Sequence, residues 1–359
     1  MAFSEEIIAS AVERYERERD RYIKLAARVA DICRANIIER DAIRAQITSR
    51  TKTVRSFENK LKRFSKRADR NYVNADAVFE NFGDFAGVRV AAYRPEDEGR
   101  IAEIVQELFT GAGHDDVEID FKDKLDPENA QFYRATHCQV FLREEELVGD
   151  YANLKGTSCE IQVCSMMAHV WNEIEHDIGY KPEGGGPGAA EHGLLEVLGH
   201  LTRSGDAAIT RLLAANMERL KTQTGDFTDV HDFVAQLRRH FPDGDLSVNA
   251  GPAFELALRL GLTSIQHIEN KLGKESLNPD FARRHIEKFN RFLEISDQTL
   301  FLLYRGSADL LLISLLALCA ADPAYTIEIS PKSGRPNRLD FLLQQYERYS
   351  NDVSKGGET

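Results

Sequence analysis

Cys159 to Lys181 reads CEIQVCSMMAHVWNEIEHDIGYK, and a change of period partway through it decides the fold. Glu160, Gln162 and Cys164 alternate with Ile161 and Val163, the two-residue repeat of a half-buried strand. From Met167 the apolar residues fall at Met167, Val170, Trp171, Ile174 and Ile178, which is helical spacing, with His169, Glu173 and His176 on the polar side. A strand therefore presents a carboxylate and an amide on one face and runs straight into a helix with its own polar stripe. That arrangement suits a metal-assisted active site. It equally suits a core strand with one solvated face, and this stretch alone favours neither.

Working outward, three more strands precede it. In Phe79 to Arg94, Gly83 and Gly87 bracket Asp84, and Val88, Val90 and Ala92 alternate with Arg89, Ala91 and Tyr93. Asp84 is placed at the strand entrance, where a carboxylate can hold a hard cation such as Mg²⁺, and Arg89 is placed on the strand. Val117 to Lys122 reads as a strand, as does Phe132 to Leu142, on which Tyr133, Ala135, His137 and Gln139 share one face. Strands with flanking helices and hairpin-length connections predict an α+β fold with a mixed, mostly antiparallel sheet. Residues 4 to about 47 carry one long helical pattern without Gly or Pro, and Leu194 to Leu220 and six later segments predict an all-helical C-terminal half. The Gly-rich loop at Gly184 to Gly188 marks the boundary. The expected division is 1–48 as an N-terminal helical segment, 49–185 as the mixed domain and 190–359 as an all-helical region.

The net charge of -12 argues against a general nucleic-acid coat protein. Against it stands a local excess of cations: Arg50, Lys52, Arg55, Lys60, Lys62, Arg63, Lys66, Arg67 and Arg70 face only Glu58 and Asp69. Such a cluster in an acidic chain suits phosphates, though it also describes a solvated basic helix. Five scattered cysteines read as reduced thiols of a cytoplasmic protein, and Cys159 and Cys164 have opposite strand parity, which disfavours a zinc site. The N-terminus lacks a signal-peptide core, and the apolar run Leu310 to Ala321 is too short to span a membrane.

Four ordered islands together resemble the synthetase domain of RelA/SpoT-type enzymes, over roughly residues 45 to 185. Arg50, Lys52, Ser56 and Lys60 fit an R-x-K-x3-S-x3-K pattern, and Asp84, Gly87 and Arg89 fit D-x-x-G-x-R. Tyr133 and His137 fit Y-x-x-x-H; Glu160 to Gln162 is E-I-Q, followed by the tail of His169, Trp171, Glu175, His176, Tyr180 and Lys181. The resemblance implies a pyrophosphokinase that moves the β,γ-pyrophosphate of ATP to the ribose 3′-hydroxyl of GDP or GTP. It implies that Asp84 and Glu160 hold Mg²⁺ and that Glu160 helps deprotonate the hydroxyl. It assigns Arg50 and Arg89 to the adenine, Lys52, Ser56 and Lys60 to the ATP phosphates, and Tyr133, His137, Gln162 and His169 to the acceptor. Two departures bear on that acceptor. The loop before Tyr133 (Glu128 to Phe132) lacks the family's Lys and Gly, and Val163-Cys164-Ser165 follows E-I-Q where relatives carry Arg-Thr. They open an alternative acceptor, the tRNA 3′ end or an adenine nucleotide, with the C-terminal region regulating a toxin. A non-catalytic nucleotide-binding module is the third reading. A homo-oligomer is compatible with all three.

Overall fold

The computed structural model describes residues 3–67, 70–126, 131–178, 187–321 and 337–355. Asp69, Glu128 to Ala130, Tyr180, Lys181, residues 182–186 of the Gly-rich loop, and the breakers Pro323, Gly334 and Pro336 lie outside them. The chain divides into two units, one of residues 1–36 and 44–210, the other of 37–43 and 211–359.

In the first unit Ser4 caps α1 (Glu5–Cys33), accepting from the Ile7 backbone N at 3.4 Å. The helical reading of residues 4 to about 47 needs correction. After α1 a π-helical turn covers Arg34–Arg40, and Ala45–Thr51 is a strand, β1. The chain reverses at Ala42, which adopts φ 48° without a Gly or Pro to announce it. Then come α2 (Val54–Phe64), α3 (Ala75–Glu80), β2 (Ala86–Ala92), α4 (Asp97–Leu108), β3 (Ile119–Asp126), β4 (Gln131–Val140), β5 (Cys159–Ser165) and α5 (Met166–Ile178). The strands form one sheet in the order β1-β2-β5-β4-β3; only β2 and β5 run parallel. The expected mixed, mostly antiparallel sheet is therefore present, with one strand more than the sequence pattern predicts.

The back of the sheet is its apolar side. Ile47, Val88, Val90, Ile161, Val163, Cys138 and Val140 are buried, and α1 and α4 pack on the strands that carry them. An aromatic cluster joins α1 to α2 and to the turn before β2: Phe57 lies 5.0 Å from Tyr15, 4.9 Å from Phe82 and 5.1 Å from Phe85, centroid to centroid. The spacing of Phe57 and Leu61 on α2, both fully buried, aims that helix at the cluster and leaves its basic residues outside. The Tyr15 hydroxyl donates to the Lys52 carbonyl at 2.6 Å, tying β1's exit to the same core. Helix α6 (Ala189–Leu220) begins in this unit. Its Gly199 exists because the Phe132 ring fills the space; a Cβ there would stand 2.3 Å from that ring.

The second unit is all-helical: α7 (Val230–Leu237), α8 (Ala250–Arg259), α9 (Ile265–Ser276), α10 (Pro279–Ile295), α11 (Asp309–Ala321) and α12 (Arg338–Lys355), with the end of α6. Residues Leu310 to Leu316 of α11 are buried on every side, and α8, α9, α10 and α12 surround it. Asp309, fully buried at its start, accepts at Oδ2 from Tyr304 N (2.9 Å), Asn249 Nδ2 (2.8 Å) and Arg338 Nη2 (3.1 Å). Arg305 pairs with Glu287 at 2.7 Å. Asp309 Oδ2 is thus fully engaged, while its Oδ1 is buried with no hydrogen-bond partner among the described residues. Among the described residues no helix is long and apolar enough to cross a membrane.

One buried charge cluster in the first unit is not part of any motif. Glu98 on α4 is 4% exposed and accepts from Arg134 Nη2 at 3.4 Å, while Ser165 Oγ donates to Asp206 Oδ2 at 2.9 Å. Burial pushes the Glu98 carboxyl up to about 7, with Arg134 opposing and Asp206 adding to the rise. The folded state then holds a proton the unfolded chain has lost, so this contribution favours folding at low pH and is lost as pH rises through about 7. Glu98→Gln removes it. Thermal melts of wild type and variant from about pH 5 to about pH 8 should show the variant gaining on wild type as pH rises, by on the order of 1–2 kcal/mol. A difference independent of pH would contradict this.

Candidate active site

The register of the sheet assembles the front face in rows. Arg50 lies opposite Gly87, Gly87 beside Glu160, and Glu160 opposite Gln139. Two residues along, Thr48, Arg89, Gln162, His137 and Asp120 form the next row. Residues paired across a ladder share a face, so Arg50, Arg89, Glu160, Gln162 and His137 all project on the same side. Gly87 lies directly against the Arg50 side chain: a Cβ there would stand 3.4 Å from its Cγ and Nε, in ordinary contact. Tyr133 lies further along β4, opposite Lys124.

Glu160 is oriented from two sides. Its Oε1 lies 3.0 Å from His137 Nδ1, and its Oε2 accepts from Gln162 Nε2 at 2.6 Å. With Glu160 ionised, Nδ1 carries the proton; in the neutral ring Nε2 then accepts from the Tyr133 hydroxyl, 2.6 Å away. Burial alone would raise the Glu160 carboxyl, but the His137 hydrogen bond and charge, with the Gln162 amide, bring it below its ordinary value. Burial, and after it the Glu160 charge, push the Tyr133 phenol up to about 12. Tyr133 also packs against a small apolar cluster of Cys164, Ala135 and Ala168.

Asp84 sits in the turn two residues before β2. Its Oδ2 is bracketed by Lys52 Nζ at 2.9 Å and Lys60 Nζ at 2.8 Å. Lys60 Nζ also lies 4.3 Å from the Phe82 ring centroid, so the aromatic cluster forms the floor beneath these charges. Burial favours the neutral acid, but the two ammonium groups outweigh it and hold the carboxyl below its usual range. Its Oδ1 is buried with no hydrogen-bond partner among the described residues. Ser56 lies in the first turn of α2, where Thr53 accepts from its backbone N at 3.1 Å and donates to its hydroxyl at 2.8 Å. Arg89 Nε donates to Gln162 Oε1 at 3.5 Å and Nη2 pairs with Glu173 of α5. Burial lowers the His169 imidazole, and so do the charges of Arg89 and Arg50, against Glu173.

The sequence-derived residues thus fall into connected groups. Asp84, Lys52 and Lys60 form one; Glu160, Gln162, His137 and Tyr133 another; Arg89 links Gln162 to Glu173, with Arg50 and His169 in electrostatic reach. Glu173 is the residue that motif reading passes over. Its signal was its spacing, four residues after His169 on the polar stripe of the helix. Among the described residues no cluster of three or more His, Cys, Asp or Glu side chains could hold a metal by itself.

The site thus joins a mixed sheet to two carboxylates and a fringe of cations. Residues 49–185 of the chain match the family model described as the region found in RelA / SpoT proteins. Solved structures similar to it include small alarmone synthetase 1 from Bacillus subtilis, at 20% identity and a TM-score of 0.42, covering 57% of this chain and 99% of that one. A GTP pyrophosphokinase family protein from Streptococcus pneumoniae gives 21% and 0.43, over 57% of this chain and 96% of that one. The Bacillus subtilis enzyme bound to its product pppGpp gives 20% and 0.42, over 56% and 98%. No curated protein sequence matches.

Because one carboxylate neutralises two half-buried ammonium groups, Asp84→Asn leaves two like charges facing each other. It should lower stability by on the order of 1–2 kcal/mol, and adding Lys60→Gln should restore much of that. Denaturant melts of the two single variants and the double measure it; strictly additive losses would sink the coupling.

Proposed function

We propose that this site is a nucleotide pyrophosphokinase, transferring the β,γ-pyrophosphate of ATP to the ribose 3′-hydroxyl of GDP or GTP to give (p)ppGpp and AMP. One observation carries this reading: Asp84 and Glu160, both held ionised, lie with Arg50, Lys52, Lys60 and Arg89 in the region that matches the family model. Phosphoryl-type transfer asks a protein for positioning and charge neutralisation more than for covalent chemistry.

The residues divide the work. Lys52, Ser56 and Lys60 take the ATP phosphates, and Arg50 and Arg89 the adenine. Asp84 Oδ1, buried and without a hydrogen-bond partner among the described residues, suits a hard cation such as Mg²⁺, which uses one or two carboxylates and completes its shell with phosphate oxygens. Asp84 and Glu160 would hold it, and its chemistry there is neutralisation of the charge on those oxygens. Glu160, kept ionised and aimed by His137 and Gln162, accepts the proton of the 3′-hydroxyl. The freed oxygen bonds to the β-phosphorus as the bond to the α–β bridging oxygen breaks, and AMP leaves with that electron pair. Tyr133, His137, Gln162 and His169 are the acceptor-side groups.

A second acceptor reading has one observation in its favour. Cys164 lies in an apolar cluster with Ala135, Ala168 and Tyr133, where the family resemblance calls for an arginine. Fewer charges for acceptor phosphates suit the tRNA 3′ end or an adenine nucleotide, with the helical unit as regulator.

The 359-residue chain incubated with γ-labelled ATP and Mg²⁺ should label GDP or GTP and release AMP in equal amount. Label on tRNA or an adenine nucleotide instead selects the second acceptor reading. ATP binding without transfer to any of them leaves a binding module and overturns the enzyme. Glu160→Gln should cut transfer by at least about a hundredfold while ATP binding survives.

A further inference from the structure

Arg50 and Arg89 are brought into diagonal neighbourhood by the pairing of β1 with β2, Arg89 largely covered and Arg50 on the exposed side of the strand. Burial and the Arg89 charge both work against the Arg50 cation, and among the carboxylates that offset this the largest contribution comes from Glu173. Glu173 pairs directly with Arg89 Nη2, while Arg89 Nε donates to Gln162 Oε1 at 3.5 Å. Despite partial burial the Glu173 carboxyl is held below its ordinary value by Arg89 first, then by Arg50 and His169. The Arg89 guanidinium is therefore gripped along its edge from two elements, β5 and α5.

A guanidinium has two kinds of surface. Its edge donates hydrogen bonds and its planar face stacks on aromatic rings. We infer that Glu173 is a positioning residue for the donor nucleotide. It is the counter-ion that lets Arg50 and Arg89 occupy neighbouring places, and by fixing Arg89 at its edge it leaves the face free for a purine. This rests on the assignment of Arg50 and Arg89 to adenine. Glu173 itself touches no reacting atom. Its side chain is 46% exposed against 16% for Arg89, so solvent screens the pair and the effect is moderate.

The test separates the base from the phosphates. The 359-residue wild type and its Glu173→Gln variant are titrated with a non-hydrolysable ATP analogue and with inorganic tripolyphosphate, which has no base. The variant should bind the analogue about fivefold more weakly. Tripolyphosphate should bind as before or slightly tighter, because a negative charge near a polyanion has been removed. In transfer assays KM for ATP should rise by a similar factor with kcat held, and Glu173→Asp should recover part of the loss. Equal weakening for both ligands, or none for either, overturns the inference while leaving the donor site standing. Wild type that fails to bind the analogue overturns the donor-site reading beneath it.

Discussion

The parallel pairing of β2 with β5 is the constraint on which the site depends. It sets Gly87 beside Glu160 and Arg89 beside Gln162, although more than seventy residues of chain separate the members of each pair. A parallel connection requires a crossover, and here the crossover is long enough to include α4, β3 and β4. The antiparallel neighbours then complete each row from either side, β1 supplying Arg50 and β4 supplying His137. The front of the sheet is chemically dense because the back is not. Val88, Val90, Ile161 and Val163 hold the strands in register by burying one face, and the alternation obliges the other face to collect the polar residues.

The collected charges are balanced locally. Asp84 answers two lysines, Glu173 answers Arg89, and Glu160 is met by an imidazole and an amide. Net acidity of the whole chain, -12, therefore says little about this face. What matters is that burial, which would neutralise a lone carboxyl, is overridden at Asp84 and Glu160 by partners within hydrogen-bonding distance. The aromatic cluster beneath Lys52, Lys60 and Asp84 fixes the turn that carries Asp84 and excludes water from one side of the group.

The strands β2, β4 and β5 and the helix after β5 were legible from period alone, since alternation and helical spacing are local properties. The placement of Asp84 before β2 and Tyr133 on β4 followed directly. β1 was not legible in its proper form. Ile47 alternates with Gln46, Thr48 and Arg50, but a helical pattern ran into it, and the turn at Ala42 uses a positive φ on a residue that gives no warning. The Glu98–Arg134 and Asp206–Ser165 contacts were invisible for another reason: each joins residues on separate elements, and no spacing rule connects them. The Glu173–Arg89 pair falls in between, with a helical spacing that hinted at a polar face but not at its partner.

The row construction also bears on which changes in chain length this domain can absorb. Strand side chains alternate, so losing or gaining one residue inside Ala86–Ala92 or Cys159–Ser165 would turn Arg89, or Glu160 and Gln162, toward the apolar layer and bring valines out in their place. Substitutions act on one side chain; a single-residue slip in a central strand dismantles a whole row at once. Among diverged forms of this domain, variation in length belongs in the connections, such as the one between α4 and β3, and the lengths of β2 and β5 should be held constant even where their sequences drift.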